Sequence, residues 1–419
     1  MLAYWLQRHL CRCVLLSAVF WLINTGMFVY GQDFTISGKQ HKSVVPFRFV
    51  RNMLVVRLQI NNRGPYNFIL DTGCGLMVIT DPLLVDSLNL KQKKKVKVVG
   101  LGEGQDLDAW MVPGLNVKMK GIEGKNISAA ILGKDVLDLS GFAGIPIHGL
   151  IGYDFFNSFP VKINFSDSTI TAFNTQKLVP WRKATRVPLQ IEDKKPYLNA
   201  NINFKEGLGI SAKLLVDLGA GHPLSIESGW NCNGTMPDKY ITAANLGIGL
   251  NGPINGYMSR IEFMEIGNYK FNQVIAAFPD SCSGATNKLL AVKRNGSIGI
   301  DVLKRFVILF DYQHGYLYLK PNYTFKEPFE HDMSGMEYYA AGNDYRRIII
   351  CRVEPGSAAD KLGIEKDDEI LAINFKEVSR MTLQEIDQIL RSKNDRSLLL
   401  EVMHHQMQAT VLLTLKRRI

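Results

Sequence analysis

Cysteine and histidine are scarce, six and eight in a chain of 419 residues. The histidines are scattered without metal-ligand spacing, including His148 and His222, which neighbour the motifs described below. No metal or organic cofactor is implied. Cys11 and Cys13 precede the first apolar run and so are not placed as lipoprotein acceptors. Cys74 lacks the His–Asn pattern of a thiol nucleophile and reads as a small buried residue. In an oxidising compartment Cys232 and Cys282, both near turn residues, are the candidate disulfide pair. There is no Gly-x-Ser-x-Gly nucleophile elbow. Gly247-Ile248-Gly249-Leu250-Asn251-Gly252 fits the letters of a dinucleotide fingerprint, but Pro253 and Gly256 follow where that fingerprint requires a helix.

Acidic residues are absent before Asp33, whereas Arg8 and Arg12 precede an apolar run from Val14 to Tyr30. This is the pattern of a signal peptide, residues 1–31, with cleavage between Gly31 and Gln32, and it predicts an exported, periplasmic or secreted protein. Left uncleaved, the run is close to spanning length and would anchor the chain, the one route to a membrane. The net charge of +10 becomes +8 without Arg8 and Arg12. Much of the excess is Lys91, Lys93, Lys94, Lys95 and Lys97, read as a solvated loop. No aromatic platform is interleaved with these lysines, so nucleic acid is not an expected partner. Hydrophobic content of 46% and the lack of long low-complexity tracts indicate a globular chain.

What the chain does have is one unit written twice. Phe68-Ile69-Leu70 runs into Asp71-Thr72-Gly73, and Leu76-Met77-Val78-Ile79 follows; Leu214-Leu215-Val216 runs into Asp217-Leu218-Gly219, and Pro223-Leu224-Ser225-Ile226 follows. Asp217 comes 146 residues after Asp71. At a spacing of 147, Gly100 and Gly102 recur as Gly247 and Gly249, Gly149 as Gly296, and Asp154 as Asp301. Two copies of this length mean paired lobes rather than a solenoid. The predicted organisation is lobe 1 over 32–177, lobe 2 over 178–322, a linker over 323–333 and a small α+β module over 334–419. Residues 32 to about 45 are open between a short pro-segment and a first strand. Asp154 and Asp301 are read as helix caps without a catalytic role. In the last module, Ser357 and Thr382 are the expected caps of helices over 358–362 and 383–390.

Two carboxylates brought together by pseudosymmetry cannot both ionise comfortably, so one proton is shared. The charged partner takes a proton from a lodged water while the protonated one polarises a carbonyl. Such a site needs one Asp from each lobe on a Gly-flanked turn, and a cover that excludes water. Gly100, Gly102 and Gly104, with Gly247 and Gly249, are the candidate flaps.

These residues resemble the aspartic proteases. Phe68 to Ile79 with Gly149-Leu150-Ile151-Gly152, and Leu215 to Ile226 with Ser297-Ile298-Gly299, are similar to that family's active-site strand and its later apolar-apolar-Gly segment. The chain looks like a bacterial retropepsin-like aspartyl protease with two fused lobes, over roughly residues 40–320. Glu354-Pro355-Gly356-Ser357-Ala358-Ala359, Leu362-Gly363-Ile364 and Asp367 to Asn374 resemble a PDZ domain of bacterial proteases. The resemblance implies a mainly β, bilobal pepsin/retropepsin-like fold followed by a PDZ domain. It implies hydrolysis of a polypeptide by Asp71 and Asp217, supported by Thr72, Gly73 and Gly219. It also implies capture of a peptide or protein C-terminus, with Ser334, Gly335 and Met336 as the candidate carboxylate loop. Leu218 departs from the family, which has Thr or Ser there, and half of the hydrogen-bonded tie beneath the aspartates is lost with it. A catalytically weak or inactive peptide-binding protein is therefore the alternative.

Overall fold

The computed structural model describes residues 33–84, 88, 90, 94–98, 107–174, 181–205, 208–227, 240–242, 246, 248–249, 252–279 and 292–419. The leader over 1–31, Cys232 and Cys282 lie outside them. Residues 33–419 form one compact unit, and it is mainly β.

Each lobe is organised around a strand that ends at an aspartate. In the first, Met53–Ile60 turns at Asn61 and Asn62 into the antiparallel strand Arg63–Leu70. Arg63–Leu70 then lies parallel to Gly149–Ile151, with Phe68 opposite Gly149 and Leu70 opposite Ile151. Gly149–Ile151 is in turn antiparallel to Met77–Ile79. Parallel neighbours need a long connection, and here it is the whole stretch between Asp71 and Gly149. A strand covered on both faces reads as a continuous apolar run, which is why Phe68-Ile69-Leu70 and Met77-Val78-Ile79 do not alternate; all six are buried. The second lobe repeats the scheme. Lys195–Lys205 pairs with Leu208–Val216, which lies parallel to Gly296–Ile298, itself antiparallel to Leu224–Ile226.

The lobes are joined by a six-stranded sheet drawn from both. Val161–Asn164 of the first pairs antiparallel with Phe306–Asp311 of the second, and the hairpin partners Thr169–Phe173 and Tyr316–Pro321 flank them. One apolar core runs through both lobes. Phe156 touches Phe310 and stacks on Tyr312 across the junction, with ring centroids 5.1 and 5.6 Å apart.

Several local expectations are resolved or corrected. The segment after residue 32 is strand: Asp33–Ile36 pairs with Ile122–Leu132, and Lys42–Pro46 with Thr169–Phe173. The lysine run is not a loop where it is described, since Lys94–Val98 pairs with Leu107–Met119 and Lys95 meets Asp108 at 2.8 Å. Asp154 and Asp301 are not caps. Gly152 and Gly299 hold the cap positions, and the two aspartates stand in the first turns of Tyr153–Ser158 and Ile300–Leu303. The 323–333 segment is packed down, with Phe325 against Phe271 and Phe306, and Phe329 buried.

The C-terminal module has its own core. Its sheet runs in the order Met336–Ala341, Arg347–Val353, Glu369–Ile373, Ser397–His404, Met407–Thr414. Thr382 caps Leu383–Leu390 in a reciprocal capping box with Glu385. The expected helix over 358–362 is a shorter 3-10 turn, Asp360–Leu362, and the Ser357 hydroxyl accepts from the Asp360 N–H at 3.2 Å.

Candidate active site

The two strand ends put Asp71 and Asp217 face to face. The Asp71 N–H donates to the Ile151 carbonyl and the Asp217 N–H to the Ile298 carbonyl, each at 2.9 Å. Both loops then close on their own carboxylates: Gly73 N–H donates to Asp71 Oδ1 at 2.7 Å, and Gly219 N–H to Asp217 Oδ1 at 2.8 Å. The glycines are required by the partner lobe. A Cβ on Gly73 would lie 2.8 Å from Asp217 Oδ1, and one on Gly219 would lie 2.5 Å from Asp71 Oδ2. Each carboxylate therefore sits over the other lobe's glycine. Gly152 and Gly299 are fixed by the same crowding, since a Cβ there would come 2.3 Å from the Asp71 carbonyl and 2.6 Å from the Ala220 carbonyl.

Beneath the pair, Thr72 and Leu218 are both fully buried. The Thr72 hydroxyl donates to the Val216 carbonyl at 2.6 Å and accepts from the Leu218 N–H at 2.9 Å. One hydroxyl thus ties the first loop to the second twice over. The Leu218 side chain returns nothing polar and joins the apolar core instead. The half-tie read from the sequence is present, with hydrocarbon filling the other half.

The two acids are not equivalent. Burial first, then the neighbouring Asp217 carboxylate, pushes Asp71 well above the ordinary carboxylate range, against the pull of the Gly73 N–H and the Lys195 ammonium. Asp217 Oδ1 accepts a second N–H, from Ala220 at 3.1 Å. Burial and crowding thus hold the proton that the pair shares on Asp71. Cys74, next to the loop, is no thiolate: burial raises its thiol to about 12, and Sγ donates to the Leu76 carbonyl at 2.6 Å. Burial lowers both His148, whose Nδ1 accepts the Asn67 N–H at 3.1 Å, and His222, so both imidazoles disfavour their charged forms.

Two supporting turns escape a reading by residue type. Val50 pairs with Met53 across Arg51 and Asn52, and Glu192 with Lys195 across Asp193 and Lys194. All four loop residues have positive φ, from 43° to 63°, as a two-residue type I′ hairpin demands. Each turn reaches the opposite lobe's aspartate loop. Asn52 Nδ2 donates to the Gly221 carbonyl at 3.2 Å, and Lys194 packs 3.4 Å from where a Cβ on Gly75 would be. The signal was a spacing of 142 residues between the turns, close to the main repeat, with dissimilar side chains on top of it.

Of the other expected residues, Gly100, Gly102, Gly104 and Gly247 lie outside the described residues. Gly249 is in the short strand Ile248–Gly249, paired with Gly252–Pro253. The carboxylate loop at Ser334, Gly335 and Met336 needs correction. The Ser334 and Gly335 N–H groups donate to Asp332 Oδ1 at 2.9 and 2.7 Å, and the Met336 N–H donates to the Ser334 hydroxyl at 3.1 Å. These donors are already used, two of them by a carboxylate of the chain itself, so the loop as it stands offers none to a ligand. Among the described residues, one group has metal-ligand spacing: Glu365, His404 and His405, with donor atoms within 4.8 Å of one another. It lies in the C-terminal module and shares no residue with the aspartate pair.

Residues 56–155 match the family model described as aspartyl protease, and residues 349–403 that of the PDZ domain. Among curated proteins none matches the chain. The chain is similar to the crystal structure of an aspartic proteinase from Irpex lacteus at 14% identity and a TM-score of 0.43, covering 68% of this chain and 99% of that one. It is also similar to the photosystem II D1 C-terminal processing protease at 20% identity and a TM-score of 0.20, covering 20% of this chain and 23% of that one.

Two measurements test this geometry. Thr72→Val keeps the volume but strands the Leu218 N–H and the Val216 carbonyl, and should cost roughly 1–3 kcal/mol in urea denaturation; an unchanged midpoint would mean the tie carries no stability. Because the folded-state pKa of Asp71 is raised, ionising it opposes folding at neutral pH. Asp71→Asn should therefore raise Tm at pH 7, with the gain shrinking as pH falls toward the unfolded carboxylate value of about 3.9. A gain independent of pH would point to packing instead.

Proposed function

We propose that this chain, which fits an aspartyl protease followed by a C-terminal PDZ domain, is an aspartic-type endopeptidase that the PDZ domain supplies with polypeptide. The observation that carries the reading is the pair of carboxylates, each lodged over the other lobe's glycine, with unequal hydrogen bonding. Asp71 holds the shared proton and donates it toward the carbonyl oxygen of a scissile peptide. Asp217 carries the charge and takes a proton from a water lodged between the pair. Water attacks the carbonyl carbon, giving a neutral gem-diol; Asp217 then passes its proton to the leaving nitrogen, the C–N bond breaks, and Asp71 takes back a gem-diol hydroxyl proton, which restores the pair. The rigidity this requires comes from the Thr72 tie below and the two hairpin turns at the sides.

A second reading is favoured by Leu218. Without a hydroxyl there, the Leu218 side chain gives no hydrogen bond back to the first loop, and a loosened pair would bind peptide without cutting it. The two readings separate in one assay, cleavage of a mixed peptide library by residues 32–419 from acidic to neutral pH. The parent should cut, Asp71→Asn and Asp217→Asn should each lose at least about a thousandfold, and the alkaline limb of the rate profile should lie above the usual carboxylate range. Cleavage that survives either substitution would remove the dyad from the reaction. With a silent parent, recovery in Leu218→Thr assigns the silence to the missing hydroxyl, and continued silence favours the peptide-binding protein.

Export completes the proposal. The basic and apolar leader should be removed, leaving Gln32 first in N-terminal sequencing of protein from the producing cell. Recovery of Met1 or Leu2 in the membrane fraction would make the leader an anchor.

A further inference from the structure

The C-terminal sheet ends at Met336–Ala341, which pairs on one side with Arg347–Val353. A sheet edge offers a row of unpaired backbone groups, and an extended peptide can add itself there as a strand. In this protein the edge is closed by the first lobe. Arg51 Nη1 donates to the Tyr338 carbonyl on that strand at 3.2 Å and to the Phe142 carbonyl at 3.0 Å. Its Nε and Nη2 form a fork on Asp387, in the helix Leu383–Leu390, at 3.0 and 3.1 Å. The Tyr338 hydroxyl donates to the same carboxylate. The guanidinium lies 4.3 Å from the Phe142 ring centre and 5.0 Å from that of Tyr338. Beside it, Gly144 comes so close that a Cβ there would stand 3.2 Å from Leu383 and 3.7 Å from Ala340. The groove between edge strand and helix is thus filled by one arginine and one turn of main chain. Both ends of the ion pair are largely covered, with side-chain exposures of 10% and 17%.

We propose that this groove is the docking surface for an extended polypeptide carrying an arginine beside small apolar residues, and that Arg51 holds the arginine's place in the free protein. The chemistry on the C-terminal side selects that partner. An acidic acceptor placed for a fork, a backbone carbonyl and an aromatic face together fit a planar guanidinium far better than an ammonium. Small apolar residues replace Gly144 against Leu383 and Ala340. This rests on the reading of the module as a peptide-binding PDZ domain and goes beyond it in naming the ligand and its internal competitor.

Docking also reaches the aspartates. Arg51 and Asn52 are the two residues of one tight turn, so Arg51 cannot leave the groove without disturbing Asn52. Asn52 donates to the Gly221 carbonyl and to Asp301 Oδ1 at 3.2 and 3.0 Å, and accepts from Lys304 at 3.2 Å. Gly221 closes the loop that begins at Asp217. A peptide that displaces Arg51 therefore changes the support of the second aspartate loop, and by linkage a ligand that orders that loop weakens peptide docking by the same factor.

The test uses the purified protein and a fluorescein-labelled probe, Ala-Val-Ala-Arg-Ala-Val-Ala, beside the same peptide with Gln for Arg. Fluorescence anisotropy gives the affinities, and mass spectrometry checks that the probe is intact. Arg51→Ala should bind the arginine probe at least tenfold tighter than the parent and show no such gain for the glutamine probe. Adding Asp387→Asn should abolish that gain. Arg51→Lys, which keeps a cation but not the fork, should fall between and covers the case in which the alanine variant fails to fold. Amide exchange at residues 218–221 should quicken in Arg51→Ala and in the parent saturated with probe. Equal affinity of parent and Arg51→Ala, equal binding of the two probes, no binding by any form, or unchanged exchange at 218–221 in the bound state would each overturn the proposal. None of these readouts requires peptide-bond cleavage, so a silent dyad and a failed docking surface are told apart.

Discussion

The Thr72 hydroxyl has two hydrogen bonds and spends both on the other lobe. It donates to the carbonyl before Asp217 and accepts from the N–H after it, so it clamps the second aspartate's peptide units from below. Both bonds are buried, where an unmade one costs more than a made one contributes. That asymmetry keeps the two loops in register. The position of each carboxylate over the opposite glycine follows, as do the burial and the charge crowding that raise Asp71. In a fully symmetric pair the tie would be made twice; here Leu218 substitutes packing for polarity, and the load falls on one side chain.

Around that clamp the molecule repeats its supports. A two-residue turn from each lobe braces the opposite aspartate loop, and a shared six-stranded sheet fixes the distance between lobes. The symmetry is broken at two points. Leu218 breaks it under the aspartate pair, and Arg51 breaks it at the side, because among the described residues only the first lobe's turn also engages the C-terminal module. The corresponding second-lobe turn carries Asp193 and Lys194, and Lys194 lies near the Tyr153 ring within the two lobes.

Much of this was legible in the sequence, and for a physical reason. Parallel central strands must be apolar on both faces, and crowded loops must be glycine, so the Asp71 and Asp217 units and their Gly149 and Gly296 partners leave a mark that survives loss of identity elsewhere. The braces left no such mark. A type I′ turn asks for positive φ, which Arg, Asn, Asp and Lys meet here with four different side chains. The carboxylate loop was misread for a related reason. Asp332, an Asx-turn former two residues before Ser334, takes the very N–H groups assigned to a ligand. Lys94, Lys95 and Lys97 were misread as loop because charge alone says nothing about a strand that carries it.

The pairing of Val161–Asn164 with Phe306–Asp311 joins two edges that belong to different halves of the chain. A half-chain would carry one of these strands bare, apolar on its inner face and with its ladder groups unmet. Such an edge is complementary to a copy of itself, because the strand it lost is its own structural counterpart. The shared sheet thus closes, within one chain, an edge that two separate halves could cover only by an association dependent on concentration. Because both edges belong to one chain, the two halves need not be identical where they meet, and Leu218 under one aspartate and Arg51 beside one turn have no counterpart of the same kind in the other half.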